Sequence, residues 1–181
     1  MLLATGSVKA SENATPFLVP KQVAAAPEGF NGLCSRYSWA CQNSRSSNLN
    51  ARSALDVAQR INLDVNRATP EIEDRDQYGK AEVWALPTRR GGDCEDFALL
   101  KKLRLIEAGL PGQNLLMATV LDRQLRNHAV LVLRTENGDY VLDNLTNKIV
   151  PWQATGYTFL KLQNPTSPGA WDAVLAGGVA G

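Results

Sequence analysis

The sequence predicts an α+β fold in which a core helix carrying a cysteine at its first turn packs on an antiparallel sheet. Three observations lead there. A helical run opens after Gly91-Gly92-Asp93 and closes at Ala108-Gly109-Leu110-Pro111-Gly112, with Gly where a helix is left and Pro beyond it. Two strand-like runs follow, Leu115 to Leu121 and His128 to Arg134. Glu136-Asn137-Gly138-Asp139 then leads into Tyr140 to Leu142, and its Asn-Gly is a strong hairpin signal, which makes that part of the sheet antiparallel.

The 181 residues fit one domain able to bury its own core. A formal net charge of +1, with Lys and Arg scattered among acids, supplies no basic field for nucleic acid. No apolar run approaches the roughly 20 residues that span a bilayer, so no membrane insertion is expected. Residues 1–27 are rich in Ala, Ser, Thr and Pro without sustained periodicity and read as a flexible lead-in. Within it, Leu2 to Gly6 is apolar and Val8-Lys9-Ala10 has the small-x-small form of a signal cleavage site, consistent with a trimmed export signal or an ordinary terminus.

The domain proper is expected over 28–163. Cys34 and Cys41, with Tyr37 and Trp39 between them, could close a small loop in an oxidising compartment or remain unpaired in a cytosolic protein. A zinc knuckle needs four ligands at closer spacing, and the chain has one histidine. Ser46-Ser47-Asn48 offers cap residues for a helical stripe, Leu49 through Val65 and on to Asn66, which Pro70 ends. Glu71 to Lys80 reads as an acidic loop. Its Asp74-x-Asp76-x-x-Gly79 resembles the start of a calcium loop, but Ala85 stands where the bidentate Glu belongs. After the hairpin, Lys148 to Trp152 and Tyr157 to Leu162 can add strands, and 164–181 reads as a flexible Pro- and Gly-bearing tail.

Thiol catalysis needs an activated nucleophile, a base within reach and a group that orients the base. Cys94 sits at a helix mouth, where backbone N–H groups and the helix dipole favour a thiolate and Gly91 and Gly92 leave room for a substrate backbone. His128 is the lone histidine, and Asp143 ends the partner strand of the hairpin. With the turn centred on Asn137-Gly138, His128 falls about four or five positions from facing Asp143, so the triad rests on the order helix, strand, strand. Asp93, Glu95 and Asp96 crowd the thiol with like charge, which raises its pKa. Either Asp93 and Glu95 hold a calcium ion, or Asp93 caps the helix and the others are ordinary first-turn acids.

Trp84-x-x-Pro87 with Gly91-Gly92-Asp93-Cys94-Glu95-Asp96-Phe97-Ala98-Leu99-Leu100-Lys101, then Asn127-His128-Ala129-Val130-Leu131, then Tyr140-Val141-Leu142-Asp143-Asn144-Leu145, resembles the bacterial transglutaminase-like cysteine proteinases, a family that includes the calcium-dependent, adhesin-cleaving LapG-like periplasmic proteases. The resemblance spans about 28 to 162. It implies a papain- or transglutaminase-like fold, a Cys94/His128/Asp143 triad, and calcium near Asp93 and Glu95. It further implies a periplasmic or secreted peptidase acting on a protein substrate, such as a cell-surface protein, under a membrane-anchored regulator. The Cys34 and Cys41 pair looks like an export-compatible, disulfide-bearing branch of the family. Acyl transfer to an amine, and a silent calcium-responsive binding module, are the rival readings of the same residues.

Overall fold

The structure, a computed structural model, describes residues 15–43 and 50–178. Among these residues seven strands form one sheet: β1 (Gln22–Ala24), β2 (Leu115–Leu121), β3 (Asn127–Thr135), β4 (Gly138–Leu142), β5 (Val150–Pro151), β6 (Thr158–Gln163) and β7 (Trp171–Gly177). Their order is β1-β7-β6-β2-β3-β4-β5, with every pairing antiparallel. Helices α1 (Leu33–Arg36), α2 (Ala51–Ala68), α3 (Asp74–Tyr78) and α4 (Cys94–Glu107) complete the fold. None of the described helices is long and apolar enough to cross a membrane.

The central strands are buried on both faces, so they read as nearly continuous apolar runs. Leu115, Met117, Leu131 and Leu133 pack with Ala98, Leu99 and Leu105 of α4 and Ala54 and Ala58 of α2. The alternate residues Leu116, Ala118, Val130 and Val132 form a second cluster with Leu18, Trp152, Phe159 and Val174. The two-residue period of a strand thus feeds two cores.

Helix α4 ends as the sequence foretells. Gly109 adopts φ 93°, and the Leu110 N–H reaches back to the Leu105 carbonyl at 2.9 Å. Its buried face is not wholly the expected one, because Lys101 and Lys102 are enclosed while Leu100 and Leu103 are only half-buried. The Lys102 ammonium donates to Gln163 Oε1 at 2.7 Å, and burial brings both lysines down to about 7. Helix α2 is capped by Asn50, whose side chain accepts from the Ser53 N–H at 2.9 Å; Ser46 to Leu49 lie outside the described residues.

Four expectations are corrected. The acidic segment 71–80 contains α3 rather than only a loop. The hairpin closes with Thr135 opposite Gly138, one residue earlier than an Asn137-Gly138 centre. Gly138 is needed for another reason: at φ 140° it lies against Pro16, where a side chain would collide with the Pro16 carbonyl. The supposed C-terminal tail supplies β7, whose Trp171 and Val174 are core residues. The described part of the lead-in, from residue 15, carries β1 and buried Leu18, whereas the candidate signal remnant at residues 2–10 lies outside the described residues.

One buried charge ties the lead-in to the hairpin. Asp139 accepts Arg134 Nε at 2.8 Å, Arg134 Nη2 at 2.7 Å and the Leu18 N–H at 2.8 Å. Asp139→Ala would leave the half-buried guanidinium with only the Leu18 carbonyl and the Leu18 N–H with no acceptor, and is expected to cost about 3–5 kcal/mol. Urea unfolding measures this, and a loss below about 1 kcal/mol would refute the clamp.

Candidate active site

The mouth of α4 is built by chain crossing chain. Gly92 donates to the Pro70 carbonyl at 3.2 Å and accepts from Ile72 at 3.1 Å, forming a parallel bridge to Glu71. Gly91 has φ 123°, and a Cβ there would strike the Pro70 carbonyl; a Cβ on Gly92 would strike the Asp96 side chain. The two glycines therefore admit the protein's own backbone and a buried acid. Asp96 Oδ1 accepts the Ala85 N–H at 2.8 Å, fixing the Trp84 segment beside the helix start, and burial raises its carboxyl to about 8. The Cys34–Cys41 disulfide forms in the structure, leaving Cys94 as the free thiol. Within that loop Tyr37 accepts the Leu86 N–H at 3.3 Å.

Cys94 is the first residue of α4, and it shares a cleft of about 290 Å³ with His128, Trp84, Thr119 and Ala129. His128 begins the inner part of β3, and its Nε2 lies 2.9 Å from Asp143 Oδ1. The corrected hairpin register halves the offset between them: paired residues sum to 273, and 128 plus 143 is 271. Just past β4 the chain leaves the sheet, which lets Asp143 turn back to the ring. Three side chains of α2 hold this departing segment. Asn66 donates to the Asp143 carbonyl at 2.9 Å, Asn62 to the Thr146 carbonyl at 3.1 Å, and Gln59 to the Asn147 carbonyl at 2.6 Å.

Asp143 is 2% exposed. Burial pushes its carboxyl up, but bonding to His128, with help from Tyr157 and the Leu145 N–H, outweighs this and leaves it below the usual range. Tyr157 donates to Asp143 Oδ2 at 2.6 Å. The thiol is pushed the other way: burial and then the Glu95 charge raise it well above its ordinary value, Asp93 adds to this, and the Ala129 N–H opposes it. The Cys94 S–H donates to Glu95 Oε2 at 3.3 Å.

Asp93 occupies the N-cap position of α4, yet its side chain makes no cap hydrogen bond. Instead Oδ2 accepts the Asp74 N–H at 3.2 Å, and one oxygen from each of Asp74, Asp93 and Glu95 lies within 4.8 Å of the others. Asp74 Oδ1, Asp93 Oδ1 and Glu95 Oε1 are buried without hydrogen-bond partners. Burial, then Asp93, raises the Glu95 carboxyl to about 10 and also raises Asp74. Three partnerless carboxylate oxygens in one buried cluster fit a hard divalent cation, and no soft ligand is among them. Asp74 belongs to the Asp-x-Asp segment set aside as an incomplete calcium loop. Its partners come from α4 rather than from the twelfth loop position, and the signal was that pair of acids. Tyr157, read only as a strand residue, had no local signal at all.

The comparisons with known proteins bear on the family and the fold. No curated protein sequence matches the chain. Among solved structures, calcium-bound LapG of Legionella pneumophila superposes with a TM-score of 0.56 at 25% identity, over 69% of this chain and 72% of that one. The EGTA-treated form of the same protein gives 0.53 at 22% identity, over 64% and 66%, which supports the fold. The family model described as bacterial transglutaminase-like cysteine proteinase, BTLCP, matches residues 20–178, a span that takes in both β1 and β7. The chain belongs to this family of bacterial transglutaminase-like cysteine proteinases and is a cysteine protease.

Proposed function

We propose that this cysteine protease is an exported, calcium-dependent peptidase that hydrolyses peptide bonds of a protein substrate through Cys94, His128 and Asp143. The observation that carries the reading is the buried 2.9 Å contact of Asp143 Oδ1 with Nε2 of His128, a residue that lines one cleft with the free thiol of Cys94. In the tautomer this contact favours, Nε2 carries the proton and Nδ1 is the basic nitrogen available to Cys94. Nδ1 takes the Sγ proton, the sulfur attacks the substrate carbonyl, and the amine leaves with the proton that the imidazole returns. The thioester then passes to water, which His128 deprotonates in turn. Backbone N–H groups at the start of α4 stabilise the developing oxyanion.

Asp74, Asp93 and Glu95 are the residues that would hold calcium. A divalent cation there supplies positive charge that offsets the acids beside the thiol, the problem posed by the raised thiol of Cys94. The Cys34–Cys41 disulfide supports a periplasmic or secreted setting. The partners expected there are a cell-surface or secreted protein substrate and a membrane-anchored regulator, the latter carried over from the family resemblance.

Alkylation tests the dyad without a substrate. In calcium at pH 6 to 7, Cys94 is expected to react faster with iodoacetamide than a cysteine in the unfolded chain, and His128→Ala is expected to slow it. Equal rates for the parent, the variant and the unfolded chain would refute an activated thiol. Acyl transfer is distinguished by adding a primary amine to a cleavage reaction: hydrolysis leaves a free carboxyl terminus, and transfer leaves an amide.

A further inference from the structure

We infer that Tyr157 is a positioning residue of the reaction, whose hydroxyl on the second oxygen of Asp143 and whose ring edge-on to His128 together fix the orientation of the imidazole. The inference rests on the His128–Asp143 reading above.

Asp143 presents two oxygens with different duties. Oδ1 faces His128 Nε2 at 2.9 Å and also accepts the Leu145 N–H at 3.0 Å; Oδ2 accepts the Tyr157 hydroxyl at 2.6 Å. A carboxylate held at only one oxygen can rotate about its Cβ–Cγ bond and carry its partner with it. Held at both, its plane is fixed, and so is the direction from which Oδ1 meets the ring. Tyr157 acts on the histidine a second time. The two ring centroids lie 6.0 Å apart at an interplanar angle of 88°, so the phenol ring walls one side of the imidazole.

The tyrosine is itself immobilised. Gly156 turns the chain at φ 72°, the Tyr157 N–H donates to Thr155 Oγ1 at 3.1 Å, and Thr155 Oγ1 donates to the Trp152 carbonyl at 2.7 Å. The Tyr157 carbonyl accepts the Gly178 N–H at 3.0 Å, where the absence of a Cβ on Gly177 lets the end of β7 approach. The ring is buried in the cluster with Trp152 and Phe159. A phenylalanine would fill the same space, so the hydroxyl is what the packing does not require.

The chain's single histidine makes the test direct, because all imidazole ¹⁵N signals from histidine-labelled protein belong to His128. In the parent these signals should report one dominant tautomer with the proton on Nε2. Tyr157→Phe should spread the population between tautomers and lower kcat by about tenfold or more, the loss expected when a hydrogen bond to a charged group is removed, while KM stays within about twofold. In an Asp143→Asn background the same substitution should add almost nothing, since its effect passes through the carboxylate. Fluorotyrosine at position 157 keeps both shape and donor and should retain activity and the single tautomer. The inference is overturned if Tyr157→Phe matches the parent in spectrum and kcat, if its loss is undiminished beside Asp143→Asn, or if fluorotyrosine fails like phenylalanine. His128→Ala separates the two levels: full activity there removes the triad, whereas an inactive His128→Ala beside a parent-like Tyr157→Phe removes only the role of Tyr157.

Discussion

Cys94→Ala is expected to lower kcat/KM for peptide-bond cleavage by at least about four orders of magnitude, and His128→Ala to do nearly as much alone. The size follows from the chemistry. Without Sγ there is no thioester, and without the imidazole the thiol, already raised by burial and by Glu95, loses the base that takes its proton and returns it to the leaving amine. The double variant should be no worse than Cys94→Ala, because the two groups act on one bond as a unit. Folding should survive, since alanine fits where a half-buried cysteine stood and the side chain gives up only its contacts with Glu95 and the Ala129 N–H. Release of a peptide fragment, followed by mass spectrometry with each variant, is the measurement. A silent binding module predicts that parent and variants leave the substrate equally intact. Cleavage at parental rate by Cys94→Ala would end the nucleophile assignment outright.

How much of this was legible beforehand differs by element, for physical reasons. Helix α4 and the hairpin strands announce themselves because burial leaves a helical stripe in the one and nearly continuous apolar runs in the others, and because Gly109 and the Asn137-Gly138 pair punctuate them. Strand β7 was hidden: Trp171 to Gly177 follows a Pro- and Gly-bearing segment and owes its place to pairing with β6 and β1 rather than to local preference. Lys101 and Lys102 mislead any reading by polarity, since enclosure by the sheet and Gln163 overrides their charge. In the site, Cys94 and His128 stood out by rarity and neighbourhood, and Asp143 by its order in the chain. Asp74 showed only as half of an incomplete calcium loop and Tyr157 not at all, because the bridge of Glu71 to Gly92 and the turn at Gly156 bring them in. Chain crossings of that kind leave no spacing to read.

Removing calcium should have the second large effect, and Asp74 makes it testable at a residue outside the α4 motif. At a calcium concentration about a hundredfold above Kd, binding to the native state alone adds about 2.7 kcal/mol, or roughly 5–10 °C in Tm for a chain of this length. The argument for so clear a response is the cost of the empty arrangement. Asp74 Oδ1, Asp93 Oδ1 and Glu95 Oε1 are buried and unpaired, and each carboxylate stands within reach of the next. Asp74→Asn keeps the shape and the acceptor for the Val83 N–H while deleting one charge from the cluster. It should therefore fold normally, melt at or above the parent's temperature in EGTA, and lose most of the calcium-induced rise. Asp93→Asn with Glu95→Gln should abolish the rise. Peptidase activity should follow the same order, because Glu95 touches both the cluster and the thiol. A parent whose Tm is the same in calcium and in EGTA would remove the ion from the mechanism. An Asp74→Asn variant with the full parental rise would confine the site to Asp93 and Glu95 at the start of α4, leaving the Asp-x-Asp segment as no more than the support on which that helix begins.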